Sequence, residues 1–212
     1  MAFMLGVDEA GRGPLAGPVA VAVVMVPGGL DVAREFPGVA DSKALSERKR
    51  EAVFTMLEAR LASGDLRFVV EYGSEGDIDA RGIAVVIRAA VARGVNALVR
   101  EYKVQPLESG TKVEPCIRVL LDGALRAPPE YAQQTIIGGD ASIPLISLAS
   151  IAAKVSRDRL MVELAPHYPH YGFERHKGYG TKAHYAALDK HGLCAIHRRT
   201  FIHLDPPPPS RY

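Results

Sequence analysis

Acidic residues stand where apolar runs stop. Residues 3–7 are apolar and lead into Asp8 and Glu9, residues 117–121 lead into Asp122, and residues 135–137 lead towards Asp140. A carboxylate at the end of a buried strand is costly unless a cation or hydrogen bonds neutralise it. Several carboxylates converging on one place repel one another, and a hard divalent cation such as Mg2+ or Mn2+ supplies the compensating charge through oxygen ligands. Two such ions about 4 Å apart activate a water and stabilise a departing oxygen in phosphodiester hydrolysis. Each acid alone is equally an ordinary turn or cap residue. The pairing of Asp8 with Glu9 beside a glycine-rich turn favours chemistry.

That turn is Gly11-Arg12-Gly13-Pro14, with Gly17-Pro18 just beyond. Glycines let backbone N–H groups approach a ligand closely, and Arg12 is placed to contact phosphate or to fix the turn. Neither a Walker loop nor a dinucleotide-binding fingerprint is present, so the bare Gly-x-Gly is a weak signal by itself. His176, His184 and His197 lack the HxxxH and HExxH spacings of zinc sites. Cys116 and Cys194 show no CxxC pattern and are expected to be reduced, buried small hydrophobes.

The elements that must position these groups alternate between strand and helix. Residues 3–7 and the β-branched run 17–26 form strands around the glycine-rich turn, which makes a hairpin. Ser46 is a plausible N-cap for a helix whose apolar stripe is Val53, Met56, Leu57 and Leu61. Residues 66–72 read as a strand, and 78–102 as a helix with Ile83, Val86, Ile87, Ala90, Val91, Val95 and Leu98 on one face. Short strands at 117–121 and 135–137 precede a long helix at 144–164, which Pro166 and Pro169 end; a short helix follows at 184–191. The expected fold class is α/β with a mixed sheet.

At 212 residues, 48% hydrophobic and 24% charged, the chain has the composition of an ordinary globular protein. No apolar run reaches the roughly 18 residues of a spanning helix, and residues 1–7 lack the basic start of a signal peptide, so the expected location is cytoplasmic. The net charge of +2 is uninformative, but its distribution is not. Residues 154–199 hold nine Lys and Arg against four Asp and Glu, together with six of the seven histidines. A locally basic surface of this kind suits phosphate contacts, or is simply solvated.

The run Asp8-Glu9-Ala10-Gly11-Arg12-Gly13-Pro14-Leu15-Ala16-Gly17-Pro18-Val19 resembles the opening signature of the bacterial ribonuclease HII family, the type 2 ribonucleases H. The likeness continues through Asp41-Ser42-Lys43-Ala44-Leu45-Ser46, Leu121-Asp122-Gly123 and Gly139-Asp140-Ala141. It extends over Ser147-Leu148-Ala149-Ser150-Ile151-Ala152-Ala153-Lys154-Val155-Ser156-Arg157-Asp158. It ends on Tyr171-Gly172-Phe173, His176-Lys177-Gly178-Tyr179-Gly180-Thr181 and His197-Arg198-Arg199. These blocks fall in the family order and span nearly the whole chain.

The resemblance implies an RNase H-like fold: a five-stranded mixed sheet flanked by helices over residues 1–165, a small helical C-terminal part at 166–205 packed on it, and a flexible tail at 206–212. It implies an endonuclease that hydrolyses the bond 5′ of ribonucleotides in RNA·DNA hybrids and of single ribonucleotides embedded in duplex DNA. Two ions of Mg2+ or Mn2+ would do so, leaving 3′-hydroxyl and 5′-phosphate ends. Asp8, Glu9, Asp122 and Asp140 correspond to the acidic catalytic and metal-binding set, with Asp158 a competitor for the fourth place.

Gly11, Arg12 and Gly13 correspond to the turn that reads the ribose 2′-hydroxyl, the group that separates RNA from DNA, and Tyr179 to the tyrosine that packs on the following sugar. Lys43, and less strongly Lys177, correspond to phosphate contacts, while Lys154 and Arg157 are read as structural. Gly82 and the polar stretch 105–114 depart from the family pattern. The extra N-terminal domain of the related ribonuclease HIII has no room ahead of Asp8. A monomer acting in ribonucleotide excision and primer removal is expected. The rival classes are a duplex-binding module without catalysis, which would bind without divalent ions, and a two-metal nuclease acting on DNA alone.

Overall fold

A computed structural model describes residues 2–39, 45–103 and 116–203. Its centre is a five-stranded sheet in the order β3-β2-β1-β4-β5. The strands are β1 (Ala2–Ala10), β2 (Val19–Pro27), β3 (Arg67–Gly73), β4 (Cys116–Asp122) and β5 (Ala132–Ile136). β1, β2 and β3 are mutually antiparallel, whereas β4 runs parallel to β1 and β5 parallel to β4. The sheet is therefore mixed, as expected. β2 is buried on both faces through Val26, which explains its unbroken apolar run of valine, alanine and Met25.

Each face of the sheet carries its own apolar layer. Odd-numbered β1 residues Phe3, Leu5 and Val7 join Val119 and Leu121 of β4 beneath Val86, Val91 and Val95 of α4 (Ile83–Lys103). Ala22, Val24 and Val26 of β2 pack on the opposite face against α2 (Glu47–Ser63) and the long helix α6 (Pro144–Leu164). α6 begins with Pro144 in its first turn, where the missing N–H costs nothing, and buries most of its surface. It lies unusually close to β1: a Cβ on Gly6 would stand 2.4 Å from the Leu145 carbonyl oxygen. α1 (Val32–Glu35) is a single turn capped by Asp31.

Local readings and tertiary structure differ at identifiable points. The helix expected at 78–102 is two helices, α3 (Glu75–Arg81) and α4, because Gly82 sits at φ +81° and interrupts the hydrogen-bond ladder. α2 does start at Ser46, whose Oγ accepts from Lys49 N, but Met56 and Leu61 are exposed and the buried stripe is Val53, Phe54 and Leu57. The last strand is 132–136 rather than 135–137, and Ile137 beyond it is 95% exposed. Cys194 is free and half-buried rather than buried. Lys43, the stretch 105–114 and the tail at 206–212 lie outside the described residues.

The chain after α6 forms α7 (Phe173–His176), α8 (Lys182–His191) and two short 3₁₀ turns. It builds a third apolar cluster in which Tyr171, Phe173, Leu188 and Ile196 meet Met161 of α6 and Leu15 and Ala16 of the β1–β2 connection. Residues 11–18 are thereby enclosed from the far side. Leu15 N donates to Gly178 O, Gly17 N to Ile196 O, and Arg198 N to Leu15 O, at 2.9, 2.9 and 2.8 Å.

Candidate active site

The central parallel strands end side by side. Val7 and Leu121 are the last pair of the β1–β4 ladder, so Asp8 and Asp122 follow side by side where that parallel pairing ends, the edge at which open α/β sheets bind ligands. Both side chains share the parity of Gly6 and Leu120, which face α6 and its N-terminal turn. Asp140 reaches the same place by another route. It lies in the first turn of the short helix α5 (Gly139–Ser142) and not directly on a strand end. Its N–H donates to Asp122 Oδ1 at 3.3 Å, while Ser147 Oγ of α6 donates to the Asp140 carbonyl oxygen at 2.6 Å. Gly139 permits this approach, since a Cβ there would stand 2.6 Å from Ile146 Cδ1 and 3.5 Å from Asp122 Oδ1.

These acids line a cleft of about 460 Å³ together with Glu9, Gly11, Arg12, Gly13 and Tyr179. Asp8, Glu9, Asp122, Asp140, residues 11–13 and Tyr179 are therefore gathered in one place; Lys177 lines a separate depression, and Lys43 is outside the described residues. Asp8 is 5% exposed, and burial, with Glu9 and Asp122 adding repulsion, pushes its carboxyl up from 3.8 to about 8. The Ser150 hydroxyl and Glu9 N–H donate to it and only partly oppose that rise. Burial also raises Glu9, although Arg12 Nε donates to Glu9 Oε1 at 2.9 Å.

Burial and mutual repulsion at hard oxygen donors are the conditions that a divalent cation relieves, so the donor set fits Mg2+ or Mn2+. Among the described residues no three His, Cys, Asp or Glu side chains are already gathered into a ligand set. The acids share a wall of the cleft, with Glu9 turned to Arg12.

Asp158 is not among the residues that line the cleft. Lys154 Nζ donates to its Oδ1 at 2.9 Å, and it faces a separate surface depression beside Arg159. Lys154 and Arg157, expected together as structural, part company. Arg157 is fully buried and hydrogen-bonded to backbone carbonyls, whereas Lys154 lines the cleft with its Nζ 5.5 Å from the Tyr179 ring centroid. The basic stretch 154–199 is likewise less available to phosphate than its charge suggests. Arg157 and Arg198 are buried, and Arg159 pairs with Glu51 and Glu58.

Sequence reasoning gave no site role to Ser150 or Arg50, both of which border the cleft. Ser150 and Lys154 are one helical turn apart, and that spacing, which puts both on one face of α6, is the signal that could have found them. The histidines hold no metal-like arrangement: His184 Nε2 and His197 Nε2 are 3.0 Å apart, and His176 stacks on His184 at 4.5 Å.

A ribonuclease HII from Endomicrobium trichonymphae is 44% identical over 196 residues, covering 92% of this chain and 83% of its own. A ribonuclease HII from Burkholderia thailandensis is 44% identical over 199 residues, covering 94% and 83%. The crystal structure of ribonuclease H2 from Pyrococcus horikoshii superposes with a TM-score of 0.68 at 26% identity over 93% of both chains. The family model described as Ribonuclease HII matches residues 5–204. The chain belongs to the ribonuclease HII family, metal-dependent endonucleases that hydrolyse RNA in RNA–DNA duplexes.

Proposed function

We propose that this enzyme hydrolyses the phosphodiester 5′ of ribonucleotides, both in RNA·DNA hybrids and where a single ribonucleotide is embedded in duplex DNA, leaving 3′-hydroxyl and 5′-phosphate ends. The carrying observation is the juxtaposition in one cleft of the acids Asp8, Glu9, Asp122 and Asp140 with the turn Gly11-Arg12-Gly13 and Tyr179. Asp8, Glu9 and Asp122, or a subset, would hold one divalent ion and Asp8 with Asp140 a second. When bound, Mg2+ or Mn2+ supplies the activation of water and the stabilisation of the departing 3′-oxygen.

The chain's own residues do the rest. Residues 11–13 present backbone to the ribose, whose 2′-hydroxyl both donates and accepts. Tyr179, 41% exposed and lining the same cleft, offers a ring to the adjacent sugar, and Lys154 and Arg50 bring positive charge to the phosphates. Lys43 is assigned to the same backbone-contacting group. We assign the enzyme to the cytoplasm, as a monomer, in ribonucleotide excision and primer removal.

Asp122→Asn tests the metal assignment. It should abolish cleavage of a duplex carrying one ribonucleotide, by 10³-fold or more on the order expected for losing a metal-borne step, while duplex binding persists. Cleavage at the parental rate would overturn it. Tyr179→Ala, assayed in parallel, should reduce cutting at single ribonucleotides with little change in unfolding temperature.

A further inference from the structure

The connection between β1 and β2 is held by two buried cations. Arg157, from α6, donates through Nε to Pro18 O at 2.8 Å and through Nη2 to Ala16 O at 3.1 Å. Arg198, from the C-terminal segment, donates through Nε to Gly17 O, through Nη1 to Arg12 O and through Nη2 to Gly11 O, at 2.9, 3.1 and 2.7 Å. Five carbonyls of residues 11–18 are therefore turned inward onto guanidinium groups. The remaining Arg157 nitrogen, Nη1, donates to Lys177 O at 3.0 Å and ties the same cluster to the segment that carries Tyr179. Both side chains have no exposed surface. Burial lowers both guanidinium pKa values, Arg198 to about 10, which leaves Arg198 charged at neutral pH.

This is more investment than a surface loop needs for packing. A carbonyl facing the cleft would repel phosphate and compete for the ribose hydroxyl; a carbonyl spent on a buried guanidinium leaves only the donor side of the chain for ligand. The planar fork also fixes carbonyls at set separations, which a lysine ammonium does not. Gly11 is shaped to the clamp: at φ +86° its missing Cβ would lie 1.9 Å from Arg157 Nε.

We propose that Arg157 and Arg198 are positioning residues for ribonucleotide recognition, clamping residues 11–18 so that the turn presents backbone donors to the ribose beside the acidic cleft. The assignment rests on reading residues 11–13 as the ribose-sensing turn. Neither arginine touches substrate; both act through the backbone they hold.

The test uses the full chain, with Arg198→Lys and Arg157→Lys assayed on a single-ribonucleotide duplex, a long RNA·DNA hybrid and an all-DNA duplex in Mg2+. The wild-type enzyme is expected to cut the first two and spare the third; failure of that baseline sinks the underlying reading, whatever the variants do. Given the baseline, each lysine variant should lose about 10- to 100-fold in kcat on the single-ribonucleotide duplex, with KM changed less, as expected for a slight misplacement at a reacting centre. The thermal upshift produced by Mn2+ alone should persist, because the acids are untouched.

Hydrogen exchange at Leu15 N and Gly17 N should accelerate in the same variants, a readout independent of activity. A variant that keeps wild-type kcat and wild-type exchange overturns the proposal. If a lysine variant does not fold, Arg198→Gly with and without millimolar methylguanidinium replaces it. Restored cleavage supports the clamp, and a folded protein that guanidinium fails to rescue counts against it.

Discussion

Asp8 carries the sharpest electrostatic consequence of the site. A carboxyl raised from 3.8 to about 8 holds its proton in the folded chain over a range where the unfolded chain has lost it. The folded state then binds more protons, so this contribution to stability falls as pH rises through that window. With chelator present, the unfolding temperature should therefore drop between about pH 6 and 8, and Mg2+ or Mn2+ should restore it by more at pH 8 than at pH 6. Asp8→Asn should flatten the drop and abolish cleavage; an unchanged pH slope in that variant would refute the account.

The two turn glycines separate a fold requirement from a ligand requirement. Gly11 needs both its positive φ and the space occupied by Arg157, whereas a Cβ on Gly13 would meet nothing within 4 Å. Gly11→Ala should cost roughly 1–3 kcal/mol of stability. Gly13→Ala should melt like the wild type yet cut single ribonucleotides more slowly, and thermal melts beside kinetics decide between them.

At the scale of elements, the segment bearing Tyr179 is held by a chain of neutral histidines. Cys194 N donates to His197 Nδ1 at 2.8 Å, which leaves the His197 proton on Nε2 facing His184 Nε2 at 3.0 Å. His184 then carries its proton on Nδ1 and donates to Tyr179 O at 3.0 Å. Burial first, then the neighbouring His184, lowers His197 from 6.5 to about 4. A histidine held neutral by the fold contributes fully above pH 6.5, and that contribution is lost as pH falls towards 4, because the unfolded chain takes up the proton first. The loss should be on the order of 2–3 kcal/mol and, in an Asp8→Asn background that removes the opposing slope, visible as a fall in urea midpoint between pH 7 and 4.5. His197→Gln should remove most of that slope. Its sign is opposite to that of Asp8 and the two windows overlap between about pH 4 and 6.5, so the pH series is run on Asp8→Asn and His197→Gln to separate them.

For the whole molecule, the acids and the sensing turn belong to one part of the chain and the supports of that turn to another. A chain ending at residue 165 would keep Asp8, Glu9, Asp122 and Asp140 but lose Tyr179 and Arg198, and would uncover Leu15, Ala16 and Met161. It should melt at a lower temperature and fail to cut a single-ribonucleotide duplex even in saturating Mn2+. Cleavage by that fragment at more than about a tenth of the wild-type rate would show that the C-terminal part is dispensable, against the tight packing argued from burial.

Much of this was legible in order of residues alone. The strand end at Asp122 follows from an apolar run that stops, and α6 from its proline start and length, because hydrophobic period and punctuation are local properties of the chain; β1 runs past Asp8 to Ala10 because β2 pairs with it there. Membership in the ribonuclease HII family also lies in local motifs, each a short block in fixed order.

Tertiary structure alone decided the rest. Asp140 joins the site through a short helix folded back on Asp122, Lys154 turns to the cleft while Arg157 disappears beneath the turn, and Gly82 splits one apparent helix into two. The first two depend on which groups come within reach, eighteen residues apart for Asp122 and Asp140 and more than a hundred for Arg157 and Pro18. A guanidinium from residue 198 satisfying the carbonyl of residue 11 leaves no periodicity in either segment, so only the packed chain reveals it.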